Sequence, residues 1–194
     1  MINRNKFFNS IKEQGLFSKL TPNQVTAMDV VISEWEKKNY NDIRWLAYMF
    51  ATIYHETAAT MLPIEEYGKG KGRKYGKKIK KSGVPYLQPD KLYYGRGFVQ
   101  LTWYENYELM GRLLQIDLLK QPELALSLPI ATDIMIEGMT KGTSSFGDFT
   151  GRSLEIYFNS TKEDPISARR IINGMDKAIL IASYYYKFKN ALKY

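Results

Sequence analysis

Apolar residues recur at helical spacing along most of this chain. Thr21-Pro22-Asn23-Gln24 has the N-cap residue, the proline and the glutamine that are typical of a helix start. The helix is predicted to run to about Lys38, with one apolar side formed by Val25, Met28, Ile32 and Trp35. Asn41 or Asp42 then begins a second predicted helix, through about Thr60, whose nearly continuous apolar sequence places it in the core.

The helical pattern stops between Met61 and Tyr94, where glycine and lysine are frequent. We predict a long irregular segment there with a short hairpin, and loops of this length in a compact domain are usually functional. Helical spacing returns from Tyr104, which predicts short helices at about 104–115, 123–127, 130–141 (closed by Gly142), 151–158, 165–172 and 176–192. The expected fold is mainly α, a single domain over residues 1–194 with an irregular, short β insertion near 61–103.

Cysteine and histidine usage excludes several kinds of chemistry. The chain of 194 residues has no cysteine, so disulfides, thiol nucleophiles and thiolate metal sites are excluded. With His55 as the one histidine, a zinc site of two or three imidazoles is excluded too. We therefore expect no metal and no cofactor, and carboxylates, tyrosines and lysines remain for chemistry.

The net charge of +8 comes from one segment, the basic segment Lys69–Lys81. Its basic residues, with no acidic residue among them, are Lys69, Lys71, Arg73, Lys74, Lys77, Lys78, Lys80 and Lys81. The segment is either a solvated surface loop or a contact for an anionic polymer of the cell envelope. Nucleic acid is not expected as a partner, because aromatic residues do not alternate with these cations; Tyr75 stands alone among them.

Glu56 follows Trp45 and Met49 on one face of the predicted core helix. A carboxylate on an apolar face is costly unless it is paired or protonated. It is either a glutamate at the frayed helix end that reaches solvent or pairs with an arginine, or a general acid of the kind that glycosidases use.

Glu65 and Glu66, which are adjacent to each other, could supply the second carboxylate of an acid and base pair. Neighbouring acids on a loop mostly serve solvation.

A third group of candidate residues lies between Tyr93 and Trp103. Glycines flank Arg96, which suits a strand or a turn where the backbone comes close to a ligand. Gln100 and Thr102 alternate with apolar residues, which predicts that both side chains project from one face of a strand. The spacing of the glycines is not that of a phosphate-binding loop.

Three segments together resemble family 19 of the glycoside hydrolases, which includes plant-type chitinases and many phage endolysins. They are Tyr54-His55-Glu56-Thr57, the segment from Tyr93 to Thr102, and Ile171-Ile172-Asn173-Gly174. The resemblance covers roughly residues 43–175 and implies a lysozyme-like helical fold with two lobes around a cleft. It also implies an inverting mechanism, in which one carboxyl acts as acid and the other as base.

The resemblance assigns roles by position. Glu56 would be the general acid, Glu65 or less favourably Glu66 the base, and Thr102 the residue that holds the attacking water. The implied sugar-binding residues are His55, Glu66, Tyr94, Gln100, Asn106, Arg170 and Asn173. The chain departs from the family at Ala58-Ala59, where many members have two glycines, and at Glu105, where plant chitinases have a tyrosine.

The expected substrate is peptidoglycan, because an acidic glycan suits a lysine-rich segment better than neutral chitin does. Chitin is the alternative within the same chemistry, and a non-catalytic module that binds cell-wall glycan is the alternative of another class. Neither a signal peptide nor a membrane span is visible in the apolar pattern. We expect a monomeric endolysin without stable membrane insertion, held in the cytoplasm of a bacterial host until it is released to the cell wall.

Overall fold

The computed structural model describes residues 1–88, 90–140 and 149–193, which form two compact units. Unit 1 comprises Met1–Met61 and Ile136–Tyr194, and unit 2 comprises Leu62–Met135. The α-helices are α1 (Arg4–Glu13), α2 (Pro22–Lys37), α3 (Ile43–Glu56), α4 (Tyr104–Leu114), α5 (Leu128–Met139), α6 (Leu154–Tyr157) and α7 (Ala178–Ala191). The prediction of a mainly α fold is confirmed, while Gly142, the expected end of a helix, lies outside the described residues.

Helices α2 and α3 begin where the sequence predicts. The Thr21 hydroxyl accepts a hydrogen bond from the Gln24 amide, and the Gln24 side chain reaches back to the Thr21 amide, forming a capping box. Asp42 caps α3 by accepting a hydrogen bond from the amide of Arg44. Every residue of α3 from Leu46 to Ile53 is buried, as the continuous apolar sequence indicates.

The core of unit 1 is built on α3, with α1 and α7 packed around it. The Phe50 ring of α3 stacks on Phe7 of α1 and on Phe188 of α7, with both centroid distances 5.4 Å. All three side chains are fully buried. Burial of a phenylalanine contributes about 1.5–3 kcal/mol, so this aromatic column is a large share of what holds unit 1 together.

The sequence did not predict α1 and predicted too much helix near residues 151–172. Helix α1 has two buried residues, Phe7 and Ile11, so its apolar pattern is weak without its neighbours. The predicted helix at 151–158 is the four-residue α6, and that at 165–172 is a 3₁₀ helix, Ser167–Ile171. Tertiary packing decides short elements of this kind because their own hydrogen bonds cannot offset nucleation.

Unit 2 contains the predicted short β insertion. Strand β1 (Ile64–Glu65) pairs antiparallel with β2 (Arg96–Gly97), so that Glu65 stands opposite Arg96. Unit 2 also contains two 3₁₀ helices, Tyr75–Lys77 and Pro122–Leu126, helix α4 and the first part of α5. None of the helices in the described ranges has the length and apolar character that a membrane crossing requires.

The predicted strand through Gln100 and Thr102 is wrong. The chain turns at residues 98–100, and Leu101 pairs back with Arg96 through hydrogen bonds of 2.9 and 3.2 Å. Gln100 has φ of 54°, a left-handed conformation that no β-strand contains. The tight turn places the side chains of Gln100 and Thr102 next to each other, both close to Gly95.

Candidate active site

In unit 1 the candidate acid Glu56 is paired with an arginine. Arg169 donates a hydrogen bond from Nη1 to Glu56 Oε1 at 2.5 Å. The side chain of Arg169 is 3% exposed and that of Glu56 is 18% exposed. Because Arg169 also donates from Nε to the carbonyl of Asp176, the guanidinium is held between two acceptors. Glu56 is thus paired with an arginine, which anchors one carboxyl oxygen, and its role as general acid stays a prediction.

The family resemblance points to Arg170, but the residue that contacts Glu56 is its neighbour Arg169. Arg170 is exposed, while its neighbour Arg169 is buried beside the buried Ala168 and Ile171. Each arginine has one apolar neighbour in the sequence, Ala168 for Arg169 and Ile171 for Arg170, so the sequence held no signal that separates them. Of the other predicted residues in this unit, Asn173 is exposed and His55 is half-buried.

In unit 2 the candidate base Glu65 is exposed and held by two donors. The Tyr94 hydroxyl donates to Glu65 Oε2 at 2.7 Å, and Lys69 Nζ lies 3.1 Å from Oε1. The hydrogen bond from Tyr94, followed by that from Lys69, lowers the pKa of Glu65. Its side chain is 38% exposed, so the ionised carboxylate remains open to water.

Glu66 has a different environment, although it is adjacent to Glu65. Both of its carboxylate oxygens accept from the Tyr75 hydroxyl, at 2.9 and 3.1 Å, and Oε2 also accepts from the amide of Gly95. Burial and this hydrogen bond raise the pKa of Tyr75 to about 12. Glu66 therefore links two segments of unit 2, which favours Glu65 over Glu66 as the carboxylate that activates water.

Arg96 positions Tyr94. The buried guanidinium lies 3.6 Å from the centroid of the Tyr94 ring. Its Nη1 donates to the carbonyl of Leu92 and to the hydroxyl of Tyr107, which itself donates to the carbonyl of Tyr94. The arginine between two glycines thus supports the tyrosine that contacts Glu65, a role that its sequence position did not indicate. Tyr94, predicted as a sugar-binding residue, is buried, and its hydroxyl contacts the carboxylate of Glu65.

Gly95 allows Gln100 and Thr102 to approach the backbone. A Cβ at residue 95 would lie 2.7 Å from Gln100 Oε1 and 3.3 Å from Thr102 Oγ1. Gln100 donates from Nε2 to the carbonyls of Ile64 and Gly97, at 3.1 and 3.2 Å. The Gln100 amide therefore connects the turn to β1. This is a structural role in addition to its predicted contact with sugar.

Thr102 and Asn106 lie at the start of α4. Thr102 Oγ1 donates to the carbonyl of Gln100 at 2.7 Å, which leaves its lone pairs to accept a hydrogen bond from water. Asn106 donates from Nδ2 to the Thr102 carbonyl at 2.8 Å and accepts from Lys81 Nζ at 3.1 Å. The predicted residues of unit 2 thus form one connected cluster around Gly95, and those of unit 1 lie at the end of α3 and along the segment from Arg169 to Asn173.

Comparison with known proteins identifies a family. A family model described as chitinase class I matches residues 36–140. An endochitinase of Arabidopsis thaliana is 44% identical over 87 residues, which are 44% of this chain and 31% of that protein. Basic endochitinase CHB4 of Brassica napus is 42% identical over 87 residues, with the same coverage of both chains. The chain thus matches less than a third of the length of these curated relatives.

Two solved structures share the fold. A bacterial family 19 chitinase superposes with a TM-score of 0.65 and 22% identity, covering 99% of this chain and 95% of that chain. Chitinase C from Streptomyces griseus superposes with a TM-score of 0.62 and 20% identity, covering 98% of this chain and 76% of that chain. At this level of identity the likeness is one of fold, and it confirms the predicted lysozyme-like helical architecture.

Proposed function

Because the chain belongs to the chitinase class I family, family 19 of the glycoside hydrolases, we propose that it hydrolyses β-1,4 bonds in polymers of N-acetylglucosamine. The observation that carries the proposal is the contrast between the two candidate carboxylates, Glu56 and Glu65. Glu56 is largely buried against Arg169, whereas Glu65 is exposed and its charge is stabilised by Tyr94 and Lys69. Inverting hydrolysis needs two carboxyl groups in different surroundings, one that acts as acid and one that acts as base.

The proposed roles follow these surroundings. Glu56 protonates the glycosidic oxygen from Oε2, since Arg169 occupies Oε1. Glu65 removes a proton from the attacking water, because its lowered pKa keeps it ionised at neutral pH. Thr102 accepts a hydrogen bond from that water through the lone pairs that its contact with Gln100 leaves free. The product is expected to have the inverted anomeric configuration.

Chitin is the substrate that the relatives support, since the matched plant proteins are named endochitinases and the structural neighbours are named chitinases. Peptidoglycan is the second candidate, and the observation that favours it is the basic segment Lys69–Lys81 in unit 2. Its glycan has the same β-1,4 backbone with acidic branches. The expected endolysin role, with a monomer released from a bacterial cytoplasm, belongs to this second candidate and remains a prediction.

A non-catalytic glycan-binding module is the third possibility. One matched relative, from Hevea brasiliensis, is named an inactive chitinase-like protein and is 48% identical over 48 residues, 25% of this chain and 14% of that protein. Glu56→Gln separates this possibility from hydrolysis, because the amide keeps the shape of the side chain and cannot donate the proton. A hydrolase should lose turnover and keep glycan binding, and a module should be unaffected.

The test is mass spectrometry of soluble fragments from colloidal chitin and from purified peptidoglycan, after borohydride reduction. Chitin oligomers that are absent with Glu56→Gln support chitinase activity. Wall fragments with reduced N-acetylmuramic acid ends support a muramidase, and those with reduced N-acetylglucosamine ends a glucosaminidase. If parent and variant release equal amounts from either polymer, Glu56 is not the acid; if the parent releases nothing from both, the proposed hydrolysis is wrong.

A further inference from the structure

Four cations of the basic segment are exposed and carry no ion pair or side-chain hydrogen bond to any described residue. They are Lys71, Arg73, Lys74 and Lys77. Other members of the segment are engaged: Lys69 pairs with Glu65, Lys81 contacts Asn106, and Lys80 lies 3.9 Å from the centroid of the Tyr104 ring. The segment therefore divides into cations that fix it to unit 2 and cations that face solvent.

The backbone returns to itself at two glycines and closes a small loop that contains three of these cations. A Cβ on Gly76 would lie 1.9 Å from the carbonyl oxygen of Gly70, a contact that only glycine permits. Residues 70–76, here called the closed loop, therefore begin and end at one point. Since an extended residue spans about 3.5 Å, five residues that leave and return to one point reach about 10 Å at most. Lys71, Arg73 and Lys74 lie within the closed loop, and Lys77 follows it directly.

Tyr75 fixes the closed loop next to the candidate base. Its hydroxyl donates to Glu66, the residue after Glu65, and its carbonyl accepts from the hydroxyl of Tyr86 at 2.9 Å. Its ring packs edge-on against Trp103, with centroids 5.2 Å apart. The four cations are thus held at a defined place in unit 2, and their binding to an anion costs little ordering of the backbone.

From this arrangement we infer an anion subsite, formed by the closed loop and Lys77, that binds the carboxylates of an acidic glycan. Four cations within seven consecutive residues, 71–77, with no acidic residue among them, give this part of unit 2 a locally positive potential that attracts an anion. The guanidinium of Arg73 can bind a carboxylate through two parallel hydrogen bonds. The inference rests on the proposed hydrolysis and adds a substrate preference: acidic polymers are cleaved more efficiently than neutral ones with the same backbone.

The test compares glycol chitin, which is neutral, with carboxymethyl chitin, which has the same backbone and added carboxylates. The loop variant is Lys71→Gln, Arg73→Gln, Lys74→Gln and Lys77→Gln together. A matched control replaces four exposed lysines of unit 1 with glutamine and so removes the same charge: Lys12, Lys19, Lys177 and Lys193. Both variants are first checked for the circular dichroism and unfolding midpoint of the parent.

The expected result is a loss of about tenfold in kcat/KM of the loop variant on carboxymethyl chitin at about 0.1 M salt, through KM, with glycol chitin unchanged. The loss should disappear at about 1 M NaCl, where the Debye length falls to about 3 Å. The control should behave as the parent on both polymers. Equal loss on the two polymers, or equal loss in the control, would overturn the subsite.

Binding is measured separately, so that the subsite can be tested even if the chain does not hydrolyse glycans. The parent and Glu56→Gln are run in native gels that contain either polymer. Retardation by carboxymethyl chitin alone, removed in the loop variant, supports the subsite, and its absence contradicts it. A DNA duplex is the competing probe: if it displaces the parent from carboxymethyl chitin at a lower charge concentration than free polymer does, the closed loop prefers nucleic acid and the inference is wrong.

Discussion

Arg169 and Glu56, which are 113 positions apart in the chain, meet at 2.5 Å between Nη1 and Oε1 in unit 1. The arginine comes from a 3₁₀ helix and the glutamate from the last residue of α3. Because Arg169 is nearly fully buried, its charge depends on this partner and on the carbonyl of Asp176. The contact therefore bears on both the stability of unit 1 and the position of the candidate acid.

Arg169→Met should lower the free energy of unfolding by about 2–4 kcal/mol. Removal of one partner from a fully buried ion pair costs about 3–5 kcal/mol, and the loss here should be smaller because Glu56 partly reaches solvent. It should also abolish hydrolysis, since the Glu56 carboxyl would lose its anchor. Urea unfolding followed by circular dichroism gives the first quantity, and release of reducing ends gives the second.

The matched control is Arg170→Met, one residue away and exposed. Its unfolding free energy should stay within about 0.5 kcal/mol of the parent. If the two methionine variants are equally stable, the Arg169–Glu56 contact contributes nothing to folding.

Tyr94→Phe should shift the acidic limb of the kcat/KM profile to higher pH. The Tyr94 hydroxyl is the main cause of the lowered pKa of Glu65, so its removal lets that pKa rise. A base must be deprotonated to act, and a higher pKa protonates it at pH values where the parent is active. On the acidic limb the rate should fall by up to about tenfold, with little change at neutral pH.

Tyr67→Phe is the control for this shift, because Tyr67 is in the same unit and fully exposed. Its profile should overlay that of the parent. An unchanged acidic limb in Tyr94→Phe would mean that a group other than Glu65 is the base.

Gly95→Ala should reduce kcat by at least about tenfold with a small loss of stability. The added Cβ would press on Gln100 Oε1 at 2.7 Å and displace the amide that binds the carbonyl of Ile64. Thr102 Oγ1, at 3.3 Å, would move with it. Steady-state kinetics on glycol chitin measures the effect, and Gly174→Ala, where a Cβ meets no atom within 4 Å, is the matched substitution. Parent-like turnover in Gly95→Ala would exclude a role for this turn in holding water.

Phe50→Ala should destabilise the chain by about 3–5 kcal/mol, because it leaves a cavity between the rings of Phe7 and Phe188. Ile179→Ala, at a side chain that is 77% exposed, should cost less than about 0.5 kcal/mol. The two unfolding midpoints in urea provide the comparison. A similar small shift in both would mean that α3 does not form the centre of the core.

Local sequence patterns were sufficient for the parts of the fold with local causes. The capping residues Thr21 and Asp42 predicted where α2 and α3 begin, because a cap acts within one helical turn. The run of apolar residues in α3 indicated burial on all sides, which the structure confirms. The sequence did not predict helix α1, because its two buried residues are too few to form an apolar face that is recognisable without α3 and α7.

The choice between neighbouring residues needed the tertiary structure. Arg169 and Arg170 are the same residue type one position apart, and only the packing of the 3₁₀ helix decides which of them is buried. Likewise Glu65 and Glu66 differ only in which segment each meets, Tyr94 for the first and Tyr75 with Gly95 for the second.

The sequence by itself determined the mainly α character, the place of the irregular insertion, the family resemblance and the residues Glu56, Glu65 and Thr102 as candidates. These features follow from periodicity, composition and motifs, which depend on residues that are near one another in the sequence. The tertiary structure alone decided that Arg169 holds Glu56, that Arg96 supports Tyr94, and that two glycines close the loop between residues 70 and 76. Each of these depends on atoms that folding brings together: the first joins residues 113 positions apart, and the other two depend on side-chain and backbone conformations that residue type alone does not specify.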